Sequence, residues 1–315
     1  MGTENDLHVV LGASGGTGSA IVRELADRGH RVRAVSRRGR AGLPAGVEEV
    51  AADIMDPEQA RRACEGAGVV YHAAQPAYTR WVQEFPAMNS SVAKGATAAG
   101  AKLVVADNLY MYAPSTEPLT EDSPLTVTGK KGPLRARMAE ELLAAHRAGT
   151  LRVAIGRSSD YYGPNGSNSV LGERLFGAAL KGKRALWLGS LDVPRSMSYL
   201  EDMARALVIL GERPEADGQV WHLPTADPIT GRQFLELVFA EVGSSPKVAR
   251  LSPGMARLGG VFVPMIRELG ELMYQWTAPF VLDASKFKRS FGPFQPTPHP
   301  EAVKRTVTWF REHVG

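Results

Sequence analysis

The stretch that decides the fold is residues 8–18, HVVLGASGGTG. Its first four residues, HVVL, form the short apolar run of a buried β-strand. Gly12, Gly15 and Gly18 follow at the spacing of a turn that holds phosphates. In such a turn the first glycine permits a tight bend and the second lets the backbone approach a pyrophosphate. The third lets a helix pack closely on the strand.

A helix is predicted directly after the glycine turn. Residues 19–28 place Ile21, Val22 and Leu25 on one face, and Gly29 ends the pattern. Free N–H groups at the beginning of a helix attract negative charge. The unit therefore predicts a dinucleotide site. Its expected contacts all lie within the turn: Gly12, Ser14, Gly15, Gly16, Thr17 and Gly18.

Strands and helices alternate six times along the first half of the chain. This alternation predicts an α/β fold, with a doubly wound parallel Rossmann-type sheet and a smaller C-terminal α/β substrate lobe. We expect a Rossmann domain over about residues 1–165, with segments returning from about 195–225. Residues 166–315 are expected to be mainly the substrate-binding lobe.

The end of the second strand predicts which dinucleotide binds. NAD sites place a carboxylate there, which accepts hydrogen bonds from the ribose 2′-hydroxyl. Here the strand ends in Ser36, Arg37 and Arg38, without a carboxylate. Arginine supplies the charge and the N–H donors that a 2′-phosphate needs. We therefore expect NADP, with NAD less favoured; the alternative is two solvated arginines.

Composition excludes several other classes of protein. The chain has 315 residues, of which 44% are hydrophobic, and its net charge is only +4 without long basic runs, which argues against nucleic-acid binding. Cys64 is the single cysteine, so no disulfide and no cysteine-based metal site is expected. The first residues lack a signal-peptide pattern and no apolar run is long enough to span a membrane. We expect a cytoplasmic protein with no membrane partner.

The chain resembles an extended short-chain dehydrogenase/reductase of the NAD(P)-dependent epimerase/dehydratase family, over nearly its whole length. GASGGTG matches the family's glycine motif. Asp53 and Ile54 resemble the acidic-apolar pair that holds adenine, and Ala73 and Ala74 fall where a strand end lines the cofactor. Asn89 falls at a family helix asparagine. Later matches include GRSSDYYGP, RSMSYLED and LDASKF.

The main departure from the family concerns proton transfer. The family carries Tyr-x-x-x-Lys at the beginning of the helix after the fifth strand. Alignment through residues 139–143, AEELL, places Pro133 at the tyrosine position and Arg137 at the lysine position. Proline has no proton to give, whereas arginine can hold a ribose hydroxyl. Asn108 stands where the family has serine or threonine.

Candidate substitutes lie in residues 104–114, VVADNLYMYAP, and just beyond them. Asn108 can polarise a carbonyl through its amide N–H groups, and Tyr110 is the expected proton donor. Lys131, in TGKKGP, offers a positive charge near the same helix. For Tyr110 and Lys131 the alternatives are packing and solvation.

The expected substrate-binding residues are Tyr112, Tyr161 and Arg195. In sugar-nucleotide enzymes of this family the arginine that Arg195 matches holds a diphosphate, so the resemblance implies that role here. The alternative for Arg195 is a structural ion pair, and for Tyr112 the pattern favours a packing residue over an acid.

Three functions follow as hypotheses. The first is an NADP(H)-dependent oxidoreductase that reduces a carbonyl or activated double bond of a small, largely apolar molecule. The second is a sugar-nucleotide epimerase or dehydratase with bound NAD(P), and the third is a catalytically inactive NADP-binding regulator. The resemblance also implies a homodimer formed through the helices at 89–100 and 135–146.

Overall fold

The computed structural model describes residues 6–39, 43–259 and 264–314. Its strands are β1 Leu7–Leu11, β2 Arg31–Ser36, β3 Glu48–Ala51, β4 Ala67–His72, β5 Lys102–Asp107, β6 Arg152–Arg157, β7 Tyr161–Tyr162, β8 Ala185–Leu188, β9 Pro194–Arg195, β10 Ser198–Tyr199, β11 Gln219–His222, β12 Ile229–Thr230 and β13 Val248–Leu251. Its helices are α1 Gly16–Asp27, α2 Pro57–Cys64, α3 Trp81–Ala98, α4 Lys131–Arg147, α5 Ala178–Leu180, α6 Leu200–Glu212, α7 Gly231–Val242, α8 Pro253–Gly259, α9 Pro264–Gly270, α10 Ser285–Phe291 and α11 His299–His313.

The centre of the fold is a seven-stranded sheet in the order β11-β6-β5-β4-β1-β2-β3. Every neighbouring pair is parallel. The order reverses direction between β1 and β4, and the carboxyl ends of these strands open a crevice at that point. The predicted fold class is confirmed, and β11 adds a strand beyond the six predicted from the sequence.

Helices cover both faces of the sheet because its strands are apolar on both sides. On one face, α2, α3 and α4 pack against Val9, Leu103 and Ile155. On the other, α1 and α6 pack against Val10 and Val104. This sandwich leaves the carboxyl ends of the strands as the natural position for a site.

The C-terminal part of the chain forms a separate apolar cluster. Strands β8 and β13 pair in parallel, and α7 and α11 pack beside them around Trp187, Phe234 and Phe310. A short antiparallel pair, β9 with β12, joins this region to the segment before α6. Within the described ranges, no helix combines the length and the apolar character needed to span a bilayer.

The helix after β5 begins earlier than its sequence pattern predicts. The pattern indicates residues 135–146, whereas α4 spans Lys131–Arg147. Pro133 lies in the first turn, where its missing N–H group costs no helical hydrogen bond. The added first turn contributes Lys131, Gly132 and Leu134 to the buried side of the helix.

Candidate active site

The glycine turn between β1 and α1 has two glycines that the fold itself requires. Gly12 adopts a φ of +87°, and a Cβ built on it would lie 2.7 Å from the Ala74 backbone. A Cβ on Gly18 would collide with the Gly12 carbonyl oxygen. Gly16 is also confined, because a Cβ there would lie 2.9 Å from the Leu200 side chain. These positions tie β1, α1 and β4 together.

Gly15 differs, and it tests whether a dinucleotide fits. It has an ordinary φ of −81°, and a Cβ built on it would meet only the Gly12 carbonyl oxygen, at 3.5 Å. The described protein atoms therefore do not require glycine at this position. A phosphate approaching the beginning of α1 does require it, because the N–H groups there must be reached at close range. The turn fits the pyrophosphate of a dinucleotide, and Ser14 and Thr17 flank this position.

The two following strands provide the predicted adenosine side of the site. Ser36 ends β2 and is buried, while Arg37 and Arg38 are exposed just beyond it. Asp53 lies beyond the end of β3, and its carboxylate accepts a hydrogen bond of 3.0 Å from the Met55 N–H. Ile54 is 6% exposed and packs in the core. Two exposed arginines thus lie at the end of β2.

A small cavity of about 10 Å³ lies behind the end of β4. His72, Ala74 and the buried Asn89 line it, and both ring nitrogens of His72 are buried without a hydrogen-bond partner among the described residues. Burial lowers the pKa of His72 to about 3. Asn89 therefore faces this cavity and not the main crevice, while Ala73 and Ala74 line the crevice itself.

The main crevice is a cleft of about 140 Å³ at the carboxyl ends of β4, β5 and β6. Thr17 and Ala73 lie on its cofactor side, and Met203 and Phe280 close other parts of its wall. Aromatic side chains form much of the remaining wall, and hydroxyl groups lie between them. The lining includes Trp81, Phe85, Tyr78, Tyr110, Tyr161, Ser158 and Ser159.

A buried network of three charged residues lies where β5 and β6 end, and two of them, Asp107 and Arg135, line the cleft. Arg135 donates from Nε to Asp107 Oδ1 at 2.8 Å, and Arg157 donates from Nε to Asp107 Oδ2 at 3.2 Å. Both guanidiniums and the carboxylate are almost fully buried. The Arg135 guanidinium also lies over the Phe85 ring, 4.5 Å from its centroid. One carboxylate thus compensates two cations where β5 and β6 end.

Asn108 and Tyr110 both line this cleft, as the sequence predicts. The Asn108 side-chain oxygen accepts a hydrogen bond of 3.0 Å from the Tyr110 N–H, which leaves its amide N–H groups for another partner. The Tyr110 ring stacks near Trp81, with 5.9 Å between ring centroids. Burial raises the pKa of Tyr110 well above its usual value. The phenol therefore stays protonated over the working pH range of an enzyme.

Of the two tyrosines predicted to contact substrate, one lines the cleft and the other does not. Tyr161 lines the cleft, and burial raises the pKa of its phenol. Tyr112 is fully buried away from the cleft, which corrects its predicted substrate contact. Its hydroxyl accepts a hydrogen bond of 2.8 Å from Arg157 and lies 2.8 Å from His222 Nε2. Tyr112 therefore braces the ends of β6 and β11.

Two predicted catalytic residues on α4 do not reach the cleft. Arg137 is 63% exposed and faces Glu141, because it lies on the solvent side of the helix. Lys131 is fully buried, and its ammonium group is paired with Glu268, with Glu271 at 3.6 Å. Lys131 Nζ also lies 4.6 Å from the centroid of the Tyr78 ring. Lys131 thus supports the cleft wall from behind.

The predicted role of Arg195 is also wrong, because its guanidinium is not free to hold a diphosphate. Its side chain is almost fully buried and ion-paired with Asp160. Its guanidinium lies over the Trp276 ring, 3.5 Å from the centroid. Burial lowers the pKa of Arg195 and raises the pKa of Asp160. Arg195 therefore forms a structural ion pair, which is the alternative that the sequence left open.

Sequence reasoning missed Arg135, the cation that α4 does turn toward the cleft. Alignment through AEELL pointed instead to Arg137, which is exposed two residues further along the helix. The helical spacing held the better signal, since Arg135, Met138 and Leu142 share one buried face at positions i, i+3 and i+7. The sequence pattern did not identify Asp107 as the partner of Arg135, because an aspartate at the end of a strand can be either exposed or buried.

Residues 8–223 match the model of the NAD dependent epimerase/dehydratase family. The chain belongs to this family. It is therefore an enzyme of the NAD(P)-dependent oxidoreductase or epimerase type, and the family resemblance seen in the sequence is confirmed. The catalytic roles of individual residues stay predictions.

Curated relatives and solved structures extend this finding. A 2-alkyl-3-oxoalkanoate reductase from Shewanella oneidensis is 24% identical over 90% of this chain and 81% of its own length. A ceramide reductase from Caulobacter vibrioides is 26% identical over 96% of this chain and 93% of its own. A dTDP-glucose 4,6-dehydratase from Streptomyces venezuelae, solved with NAD, superposes with a TM-score of 0.79 at 19% identity, covering 98% of this chain and 97% of that chain. This last likeness concerns the fold alone.

Proposed function

We propose that the protein is an NADP(H)-dependent reductase that acts on a carbonyl or activated double bond of a small, largely apolar molecule. When bound, the reduced cofactor supplies the hydride. The chain's own residues orient the acceptor and provide the hydrogen-bond donor for the oxygen that gains charge.

The pairing of the cations around the cleft carries the proposal. Among the described residues that line the cleft, Arg135 is the one cation, and Asp107 accepts from it. Arg195 does not line the cleft, and its charge is compensated by Asp160, which does. A diphosphate needs uncompensated positive charge or several free N–H donors. The cleft instead offers aromatic rings and hydroxyls, which suit an apolar molecule with one polar group.

The protonation state of Tyr110 favours reduction over an initial oxidation. Epimerases and dehydratases that first oxidise their substrate need a base that takes a proton from a hydroxyl. A phenol whose pKa is raised by burial is a poor base near neutral pH. It remains a hydrogen-bond donor, which a reduced carbonyl oxygen needs. We assign Tyr110 as that donor, with the Asn108 amide as a second donor to the same oxygen.

Arg135 takes the role that the sequence gives to Arg137. It lies one helical turn after Lys131, and its guanidinium lines the cleft beside Asp107. We propose that its remaining N–H groups hold a ribose hydroxyl of the cofactor. Arg37 and Arg38 would hold the 2′-phosphate, which is why NADP is proposed in preference to NAD. The two relatives named as reductases support the reaction type.

The decisive assay follows NADPH and NADH oxidation with a panel of alkyl ketones and oxo acids. We expect NADPH to be preferred and Tyr110→Phe to lower kcat/KM by about 10²–10⁴-fold, the usual contribution of a proton donor. Asn108→Ala should cost about 10²-fold, the effect of one lost donor to an oxyanion. Tyr199→Phe, at a buried tyrosine outside the cleft lining, is the matched control and should leave turnover intact.

Cofactor preference is tested on the same enzyme. Removing both arginines in an Arg37→Ala/Arg38→Ala variant should raise the KM for NADPH by about 10- to 100-fold, the value of a charge-assisted contact. The KM for NADH should hardly change. Arg174→Ala, at another exposed arginine, is the control. Turnover of a nucleotide sugar by the wild type, with none of the ketones reduced, would contradict the proposed substrate class.

A further inference from the structure

At the end of the sheet opposite the cleft, three potential metal ligands converge: Asp6, His8 and His30. One ligand atom from each lies within 4.8 Å of the others. We propose that these residues form a binding site for a divalent transition metal ion of the zinc type. The site is separate from the proposed reductase activity and does not depend on it.

Strand geometry explains why the three side chains meet. Asp6 and His8 are two residues apart, so both point to the same face of β1. In the parallel register Leu7 lies opposite Arg31, so Asp6 and His30, the residues just before β1 and β2, lie beside each other. The His8 and His30 rings lie 4.3 Å apart, centroid to centroid. His30 Nδ1 lies 3.9 Å from Asp6 Oδ1.

Each histidine is held by a second residue through its other ring nitrogen. His30 Nε2 lies 3.0 Å from Glu212 Oε1, at the end of α6. His8 Nδ1 lies 3.3 Å from the Tyr71 hydroxyl. Metal-bound histidines nearly always have such a partner, which fixes the ring and leaves the opposite nitrogen for the ion. Here His30 Nδ1 and His8 Nε2 are the nitrogens left for the metal.

The chemistry of the three groups suits the ion. Two imidazoles and one carboxylate are ligands that zinc accepts, with a fourth position for water. Ligand atoms of a tetrahedral zinc ion lie about 3.4 Å apart, so a contraction of at most about 1.4 Å would close the site. His8 is 6% exposed, whereas Asp6 is exposed, so an ion can enter from solvent.

The test is calorimetric titration of the untagged full chain with Zn²⁺, followed by the absorption spectrum with Co²⁺. We expect one equivalent to bind and the Co²⁺ spectrum to show tetrahedral coordination. His30→Gln and Asp6→Asn should each weaken Zn²⁺ binding by at least about tenfold, and Glu212→Gln by about tenfold through His30. His313→Gln, at an exposed histidine on α11, is the matched control and should bind like the wild type.

Two results would overturn the proposal. One is a wild-type chain that binds no Zn²⁺ in a buffer free of chelators. The other is a His30→Gln variant that folds, by circular dichroism, and binds Zn²⁺ as tightly as the wild type. His30 is the preferred position for the substitution because it is only half-buried, whereas His8 is buried and its loss can disturb folding.

Discussion

The glycine turn and the beginning of α4 line the same cleft, but different physics fixes them. At the turn, the backbone decides: Gly12 needs its positive φ, and Gly18 must touch the Gly12 carbonyl. At α4, the side chains decide: Arg135 reaches the cleft because Asp107 compensates it in the core. Backbone requirements leave a readable residue pattern, whereas a buried charge network depends on partners far apart in the chain.

The largest expected effect is on the charge network. Asp107→Ala should lower the free energy of unfolding by about 3–5 kcal/mol, because it leaves two guanidiniums buried without a counter-charge. The measurement is urea denaturation. Asp192→Ala is the matched control, since Asp192 is 65% exposed in its pair with Arg232 and should cost less than about 1 kcal/mol. Equal losses in the two variants would show that the Asp107 network does not stabilise the fold.

The glycine turn should separate binding from stability. Gly15→Ala should weaken NADPH binding by about 10- to 100-fold, because its methyl group occupies the approach of a charged phosphate. Its stability should fall by no more than about 1 kcal/mol, the cost of alanine at this helix-capping position. Gly18→Ala should instead destabilise the protein itself, since its Cβ meets backbone. Fluorescence titration with NADPH and thermal melts measure the two effects. Unchanged binding in Gly15→Ala would refute the pyrophosphate assignment.

The buried histidine beside the cleft should make stability depend on pH. The pKa of His72 is lowered to about 3 in the folded protein, so below pH 6.5 the unfolded chain binds a proton that the native state does not. Stability should therefore fall with decreasing pH, by about 1.4 kcal/mol per pH unit for this group. The loss should continue from the unfolded value down to about pH 3. His72→Leu removes this group, so urea midpoints between pH 6 and 4.5 should fall less steeply. An unchanged slope would argue against a neutral buried His72.

The smallest effect is expected at Arg137. Arg137→Ala should change the free energy of unfolding by less than about 0.5 kcal/mol, because its ion pair with Glu141 is exposed. Turnover should stay within about twofold of the wild type by the same argument. Arg135→Ala, two residues earlier, should lose cofactor affinity. A larger loss of turnover in Arg137→Ala than in Arg135→Ala would instead support Arg137 as the residue at the family's lysine position.

The glycine turn and the end of β2 could be predicted from the sequence, and their contacts with a cofactor stay predictions. Gly12, Gly15 and Gly18 act within a few residues of each other, so their spacing carries their roles. The end of β2 follows the same logic, because Arg37 and Arg38 lie next to the strand that positions them. Asn108 and Tyr110 were also found in this way, at the end of β5.

The sequence by itself determined the sheet, the glycine turn and the cleft-lining end of β5, since each rests on local spacing and on apolar periodicity. Only the tertiary structure decided which charged residues are available to a ligand. Arg195 and Asp160 are 35 residues apart, and Arg157 and Tyr112 are 45 apart, yet both pairs are buried contacts. Lys131 is paired with Glu268, which lies on α9 in the C-terminal part of the chain. A buried charge is stable only where its counter-charge lies, and folding alone brings the two together.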